Sequence, residues 1–178
     1  MSHFGPLLDR NPAFAATGAH EALSPLPRHQ VLVLTCVDSR VEPAGILGIE
    51  LGDALVVRNT GGRVTDEVIE EIAFLGYVTD QMPGDEAPPF EVAVVHHTEC
   101  GAAALADDAF RQGFAERVGA DEARLAARAV ADPVASVRAD VDRLLTSPLR
   151  PGRVSVSGHV YDVGTGLVQT VVPSSAQG

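Results

Sequence analysis

Three short apolar runs set the limits on what this chain can become. They occupy residues 30–35, 54–57 and 91–96, with centres such as Val31-Leu32-Val33-Leu34 and Val92-Ala93-Val94-Val95. Each is too short for an ordinary helix and is continuously apolar rather than alternating. That pattern belongs to strands buried on both faces of a parallel sheet. The segments between them carry helical spacing. Residues 43 to about 51 predict a short helix with Pro43 in its first turn. Thr65 or Asp66 caps a helix running to about Val78. Its buried stripe is Val68, Ile69, Ile72, Leu75 and Gly76 or Tyr77, with Glu67, Glu70 and Glu71 facing out. Residues 81–90 read as a loop, marked by Pro83, Pro88 and Pro89. Residues 101 to about 119 read as mostly helical, with Gly113 a weak point. Asp132 caps a helix with Pro133 in its first turn, reaching about Thr146, with Val134, Val137, Val141 and Leu144 or Leu145 buried. Residues 153–161 form a fourth strand. Gly164-Thr165-Gly166 then turns the chain into a last one at 167–172, antiparallel and at an edge.

Strands alternating with helices imply an α/β fold: a Rossmann-like, three-layer α/β/α arrangement around a mostly parallel sheet with an antiparallel edge strand. Residues 1–29, with Pro6, Pro12, Pro25 and Pro27, read as an N-terminal arm packed on a partner surface. Residues 30–178 read as a single domain, with no internal repeat or dividing linker.

The chain has two cysteines, and each follows one of the apolar runs. Cys36 opens Cys36-Val37-Asp38-Ser39-Arg40, and Cys100 closes His97-Thr98-Glu99-Cys100. In open α/β sheets, ligands bind beyond the carboxyl ends of the strands. If the first and third strands are parallel neighbours, the two motifs meet there. Two thiolates and an imidazole suit zinc, and three protein ligands leave a fourth position for water or a carboxylate. Strand alternation sends His96 and His97 to opposite faces, so only one can join. His96 reads as a core or rim histidine. Asp38 and Arg40 have two readings. One is a surface ion pair of little consequence. In the other, Asp38 reaches the fourth metal position and shuts the site, while Arg40 competes for that carboxylate with a bidentate pair and opens it.

Composition narrows the partners. The formal net charge is −11, and every one of the 13 basic residues is arginine. Such acidity argues against nucleic acid or an anionic membrane surface. No apolar stretch approaches the roughly 20 residues that span a bilayer. The first residues lack the basic-then-apolar pattern of a signal peptide. The expectation is a cytoplasmic protein with reduced thiols, and no Cys-x-x-Cys pair suggests a redox dithiol. Asn59-Thr60-Gly61-Gly62 belongs to no phosphate-binding pattern and reads as a turn that lets backbone approach the site or a partner subunit. Residues 107–108 and 116–122 are acidic, solvated helix faces. His3, His20 and His29 lie in or beside the arm, away from any site. His159 reads as structural; neither it nor His96 is assigned a proton-relay role.

The ordered motifs Cys36-x-Asp38-x-Arg40 and His97-x-x-Cys100-Gly101 resemble the beta-carbonic anhydrases. Residues 52–61, Gly-Asp-Ala-Leu-Val-Val-Arg-Asn-Thr-Gly, resemble that family's strand and glycine turn. The short length, the His96-His97 pair and the ending from Gly158 through Gly166 resemble its short bacterial, mycobacterial-type branch. The likeness runs from about residue 30 to the C-terminus. It implies that Cys36, His97 and Cys100 bind Zn2+, with Asp38 joining them in a closed state. It implies that Asp38 and Arg40 form the catalytic dyad; separately, backbone N–H groups near Gly101, at an expected helix start, are placed to steady the developing negative oxygens. The implied reaction is reversible hydration of carbon dioxide to bicarbonate and a proton. Two thiolates neutralise a divalent ion, so its water should be less acidic than the pKa of about 7 at a tris-histidine zinc. Activity is therefore expected to rise through mildly alkaline pH. The resemblance also implies a homodimer or a dimer-based tetramer. The same branch includes carbonyl sulfide hydrolases with identical ligands and dyad. A third reading is a non-catalytic zinc fold with Asp38 locked on the metal. The glutamine and tyrosine that plant-type members place in the pocket have no counterpart here.

Overall fold

The computed structural model describes residues 3–81 and 90–175. Five strands form one sheet: β1 (Val31–Cys36), β2 (Leu55–Asn59), β3 (Phe90–His97), β4 (Val154–Tyr161) and β5 (Val168–Ser175). Their order is β2-β1-β3-β4-β5. The first four are mutually parallel, and β5 runs antiparallel on β4 at the edge. The expected strands are all present, each shifted by one to three residues at an end. The loop expected over 81–90 falls on residues 82–89, outside the described residues.

Seven α-helices accompany the sheet among the described residues: α1 (Gly5–Leu8), α2 (Asn11–Ala15), α3 (Pro43–Leu47), α4 (Asp66–Asp80), α5 (Asp108–Val118), α6 (Glu122–Ala126) and α7 (Pro133–Thr146). Their ends follow local chemistry. The Thr65 side chain accepts the Val68 N–H at the start of α4. Asp132 accepts from Val134 and Ala135 at the start of α7, with Pro133 following it. Such caps stabilise a helix by about 1 kcal/mol each. Helix α3 stops short of the expected residue 51, because Gly48 takes a left-handed conformation (φ 67°) and ends it. The continuous helix expected over 101–119 is instead a 3-10 segment, Gly101–Ala106, followed by α5. Asp107 separates them. Its backbone is extended, and its side chain accepts the Phe110 N–H, which makes it a cap rather than an interior residue.

One face of the sheet packs against α4 and α7. Leu32, Leu34, Val92, Val94, Val154 and Val156 meet Val68, Ile69 and Ile72 of α4 and Val137, Val141 and Leu144 of α7. Leu32 and Leu34 are fully buried, and each contributes about 2 kcal/mol by leaving water. On the opposite face Val33, Val95 and Tyr161 pack with Val41, Ile46 and Ile49, in and around α3. One stripe position differs from expectation: Val134 is 41% exposed. Of the alternatives Gly76 and Tyr77, Tyr77 is 65% exposed. Gly76 takes the core-facing place in α4, and in α7 the buried set is Val137, Asp140, Val141 and Leu144. Helices α1 and α2 bury none of their residues. No helix among the described residues is long and apolar enough to cross a membrane.

The sheet order places β1 beside β3, with Val31 opposite Glu91 and Thr35 opposite Val95. The Thr35 hydroxyl donates to the Val95 carbonyl at 2.7 Å, adding a side-chain tie near the carboxyl ends of both strands. The segments after Cys36 and His97 therefore leave the sheet at one place.

Candidate metal centre

The turn after β1 is held by an arginine from the neighbouring strand. Arg58 of β2 donates to the Cys36 carbonyl (3.0 Å) and the Asp38 carbonyl (2.8 Å), and pairs with Glu42 (2.6 Å). The turn after β3 is held by Thr98, whose N–H donates to the Tyr161 carbonyl and whose hydroxyl accepts the Val163 N–H. Glu99 then adopts a left-handed backbone (φ 56°). From these turns Cys36, His97 and Cys100 converge, all three buried, with their ligating atoms within 4.8 Å of one another. The two cysteines are free thiols with their Sγ atoms 4.0 Å apart. Two sulfurs at about 2.3 Å from a tetrahedral zinc would lie about 3.8 Å apart.

The imidazole is set for the same role. His97 Nδ1 lies 2.9 Å from the Thr98 carbonyl, so the Nδ1–H donates there. Nε2 is then the bare nitrogen, and it is buried with no hydrogen-bond partner. A buried polar atom without a partner is costly unless something binds it. A metal ligand held by its other ring nitrogen to a backbone carbonyl has this arrangement. The donor set therefore fits a zinc ion.

The thiols share their proton unequally. Cys36 is pushed far below the usual thiol range, first by the hydrogen bond from Cys100, against the cost of burial, and further by the backbone N–H groups of Asp38 and Gly61. Cys100 is pushed up, because it is the donor to Cys36 and is buried. A divalent cation would release the second proton as well.

Asp38 faces Arg40 in a two-pronged pair. Arg40 Nε donates to one carboxylate oxygen at 3.1 Å and Nη2 to the other at 2.9 Å. The Arg40 backbone N–H adds a third bond at 2.9 Å. Arg40 also donates to the Glu99 carboxylate (2.9 Å) and the Glu99 carbonyl (3.1 Å), which joins the two motifs. These bonds, the Arg40 side chain's first and its backbone N–H next, hold the Asp38 carboxyl down at about 2. Arg40 thus holds both oxygens of the Asp38 carboxylate. Gly101 opens the 3-10 segment, and a Cβ added there would meet nothing within 4 Å.

The remaining histidines and glycines take definite places. His96 lies on the α7 side, fully buried, with Nε2 at 3.1 Å from Asp140 and 3.2 Å from the Gly62 carbonyl. His159 hydrogen-bonds Ser157 and Thr170 on adjacent strands. Its pKa is lowered by burial, against the pull of Glu91. The Gly61 N–H points at the Cys36 sulfur (3.3 Å). Sequence reasoning missed Arg58, Glu99 as a second partner of Arg40, and the Arg63–Asp140–His96 cluster. The available signal for the last was a lone acid on the apolar stripe of α7. A cavity of about 350 Å³, lined in part by Asn59, Arg63, Thr65 and Arg128, is not lined by any of the three candidate ligands. Donor chemistry rather than cavity size marks the site.

The comparisons agree with this geometry. The family profile described as Carbonic anhydrase matches residues 31–168. The chain is 30% identical to beta-carbonic anhydrase 1 of Mycobacterium tuberculosis over 158 residues, covering 89% of this chain and 91% of that one. It is also 30% identical over 156 residues to a carbon disulfide hydrolase of Acidianus sp., covering 75% of this chain and 72% of the relative. A crystal structure of carbonic anhydrase from Streptococcus mutans superposes with a TM-score of 0.78 at 36% identity, covering 96% and 98% of the two chains. With its fold, its ordered motifs and these matches in agreement, the chain belongs to the beta-carbonic anhydrase family of enzymes.

Proposed function

We propose that this protein is a zinc-dependent carbonic anhydrase that interconverts carbon dioxide with bicarbonate and a proton. The observation that carries the reading is the convergence of Cys36, Cys100 and a partnerless His97 Nε2, joined to the Asp38–Arg40 pair through Glu99. Those three side chains would hold the ion. When bound, zinc supplies Lewis-acid activation of a water molecule toward an electrophilic carbon. The protein's own part is orientation. Asp38, kept ionised by Arg40, is an acceptor only, so it takes a hydrogen bond from the attacking water and fixes its orientation. Arg40 donates to both carboxylate oxygens and would compete with a metal for Asp38, which favours a site able to open over a permanently locked one. Gly101 leaves open space where a side chain would stand beside Cys100, and its backbone N–H would be the donor to an oxygen of a small linear substrate.

A second reading follows from the carbon disulfide hydrolase relatives. Carbon disulfide, carbonyl sulfide and carbon dioxide are all linear molecules with an electrophilic central carbon, and the same ligands and dyad suit each. Stopped-flow hydration of carbon dioxide, run beside sulfide release from carbonyl sulfide and carbon disulfide, separates them. Fast proton release with carbon dioxide supports the first reading. Sulfide release without carbon dioxide turnover replaces it with the second.

The protein would work as a homodimer or a dimer-based tetramer. Leu7, Leu8 and Phe14 of the arm are 51%, 55% and 42% exposed on helices that bury nothing within their own chain. A second copy is the surface that would cover them.

A further inference from the structure

Asp140 is the one charged residue among the buried positions of α7, between Val137 and Val141, and it is 2% exposed. An apolar residue would pack there at no desolvation cost, whereas a buried carboxylate needs compensation. It receives a full set of bonds. Arg63 donates to both oxygens, at 2.8 Å and 2.9 Å, and the Val64 N–H donates at 3.1 Å. His96 Nε2 lies 3.1 Å away and also reaches the Gly62 carbonyl. Burial pushes the Asp140 carboxyl up, but the bonds from His96 and Arg63 more than offset this and leave it below its ordinary value.

Every one of those partners sits next to the metal ligands or to the turn that touches them. Arg63 and Val64 leave the Gly61-Gly62 turn, and His96 precedes His97 in the chain. The turn lies hard against β1: a Cβ on Gly62 would stand 2.9 Å from the Thr35 carbonyl carbon and 3.0 Å from the Cys36 nitrogen. At that distance the Gly61 N–H meets the Cys36 sulfur. Hydrogen bonds to a metal thiolate draw charge from the sulfur and fix its direction, and such outer contacts tune metal affinity. Asn59 holds the same turn from the other end, accepting the Arg63 N–H and donating to the Arg63 carbonyl, both at 2.8 Å.

We propose that Asp140 is a positioning residue for the metal thiolate: by clamping Arg63, Val64 and His96 it presses the Gly61-Gly62 turn onto β1 and aims the Gly61 N–H at Cys36. This rests on the reading of Cys36 as a metal ligand. The test is made on the full chain carrying cadmium-113, with nuclear magnetic resonance as readout. Scalar coupling from the metal to the Cys36 and Cys100 β-protons and the His97 ring reports the ligands. Coupling from the metal to the Gly61 amide reports the N–H···S bond. The unmodified protein should show all of these. Asp140→Asn should lose the Gly61 coupling and keep the ligand couplings, with zinc affinity in chelator competition lowered by about 10-fold to 100-fold. Arg63→Lys, which leaves the carboxylate a cation but not a fork, should weaken the same coupling and serves if Asp140→Asn does not fold. A parent without Gly61 coupling, or folded variants that keep it at unchanged zinc affinity, would overturn the proposal. Absence of the cysteine and histidine couplings would overturn the metal reading itself, and this inference with it.

Discussion

Replacing Gly62 with alanine tests how closely the glycine turn is fitted to the end of β1. Gly62 has φ 66°, and its added Cβ would lie 2.9 Å from the Thr35 carbonyl carbon, 3.0 Å from the Cys36 nitrogen and 3.1 Å from Thr35 Cα. An alanine in left-handed backbone costs about 1–2 kcal/mol. The neighbouring atoms are backbone, not the end of a flexible side chain, so they cannot swing away. Relieving the overlap means moving Thr35 and Cys36 off the turn, and overpacking of this kind costs about 1–3 kcal/mol. The sum is about 2–5 kcal/mol, which for a chain of this size lowers the melting temperature by roughly 4–20 °C. Because the displaced backbone carries Cys36, zinc should also be held less tightly. The control is Gly45→Ala in α3, where an added Cβ meets nothing within 4 Å and φ is not positive. That change should be neutral or slightly stabilising. Scanning calorimetry with zinc titration against a chromophoric chelator reads both quantities. If Gly62→Ala melts like Gly45→Ala and holds zinc like the parent, the close approach of turn and strand is not what positions Cys36.

Asp38→Asn should keep zinc and the melting temperature while lowering kcat by about 100-fold, measured by stopped-flow hydration. Since Asp38 stays ionised down to about pH 2, it is not the group whose ionisation raises activity at alkaline pH. The substitution should therefore scale the pH–rate profile without moving its alkaline inflection; a displaced inflection would contradict the role given to Asp38. Asp140 has a folded pKa below its ordinary value, so the unfolded chain takes up its proton first. Its contribution to stability is full above the unfolded value of about 3.9 and is lost as pH falls through the lower folded value. Denaturant unfolding should thus weaken below about pH 4, and Asp140→Asn should flatten that limb. Leu7→Asp with Phe14→Asp should convert the assembly to smaller species in sedimentation velocity. An unchanged sedimentation coefficient would place the subunit contact elsewhere.

Much of the sheet was legible because continuous apolar runs and single caps act locally. Val31-Leu32-Val33-Leu34 has one stable use, and Thr65 and Asp132 mark helix starts by the bonds they make within three residues. The meeting of Cys36 with His97 and Cys100 followed from topology, since parallel neighbours bring strand ends together. What stayed hidden depends on distant partners. Asp140 on the α7 stripe looks like an error until Arg63, 77 residues away, is seen beside it. Glu99 carries no signal of its own in the sequence, and only the fold brings it to Arg40, 59 residues away. The break at Asp107 was missed because alanines on one side and a helical pattern on the other outweighed the capping aspartate between them.

X-ray absorption at the zinc edge, with metal quantified per chain, addresses the central claim most directly. The account predicts one zinc per chain, with two sulfur neighbours at about 2.3 Å and one imidazole nitrogen at about 2.0 Å. A metal-free protein after expression and loading with zinc, or a bound ion with fewer than two sulfur neighbours, would contradict it.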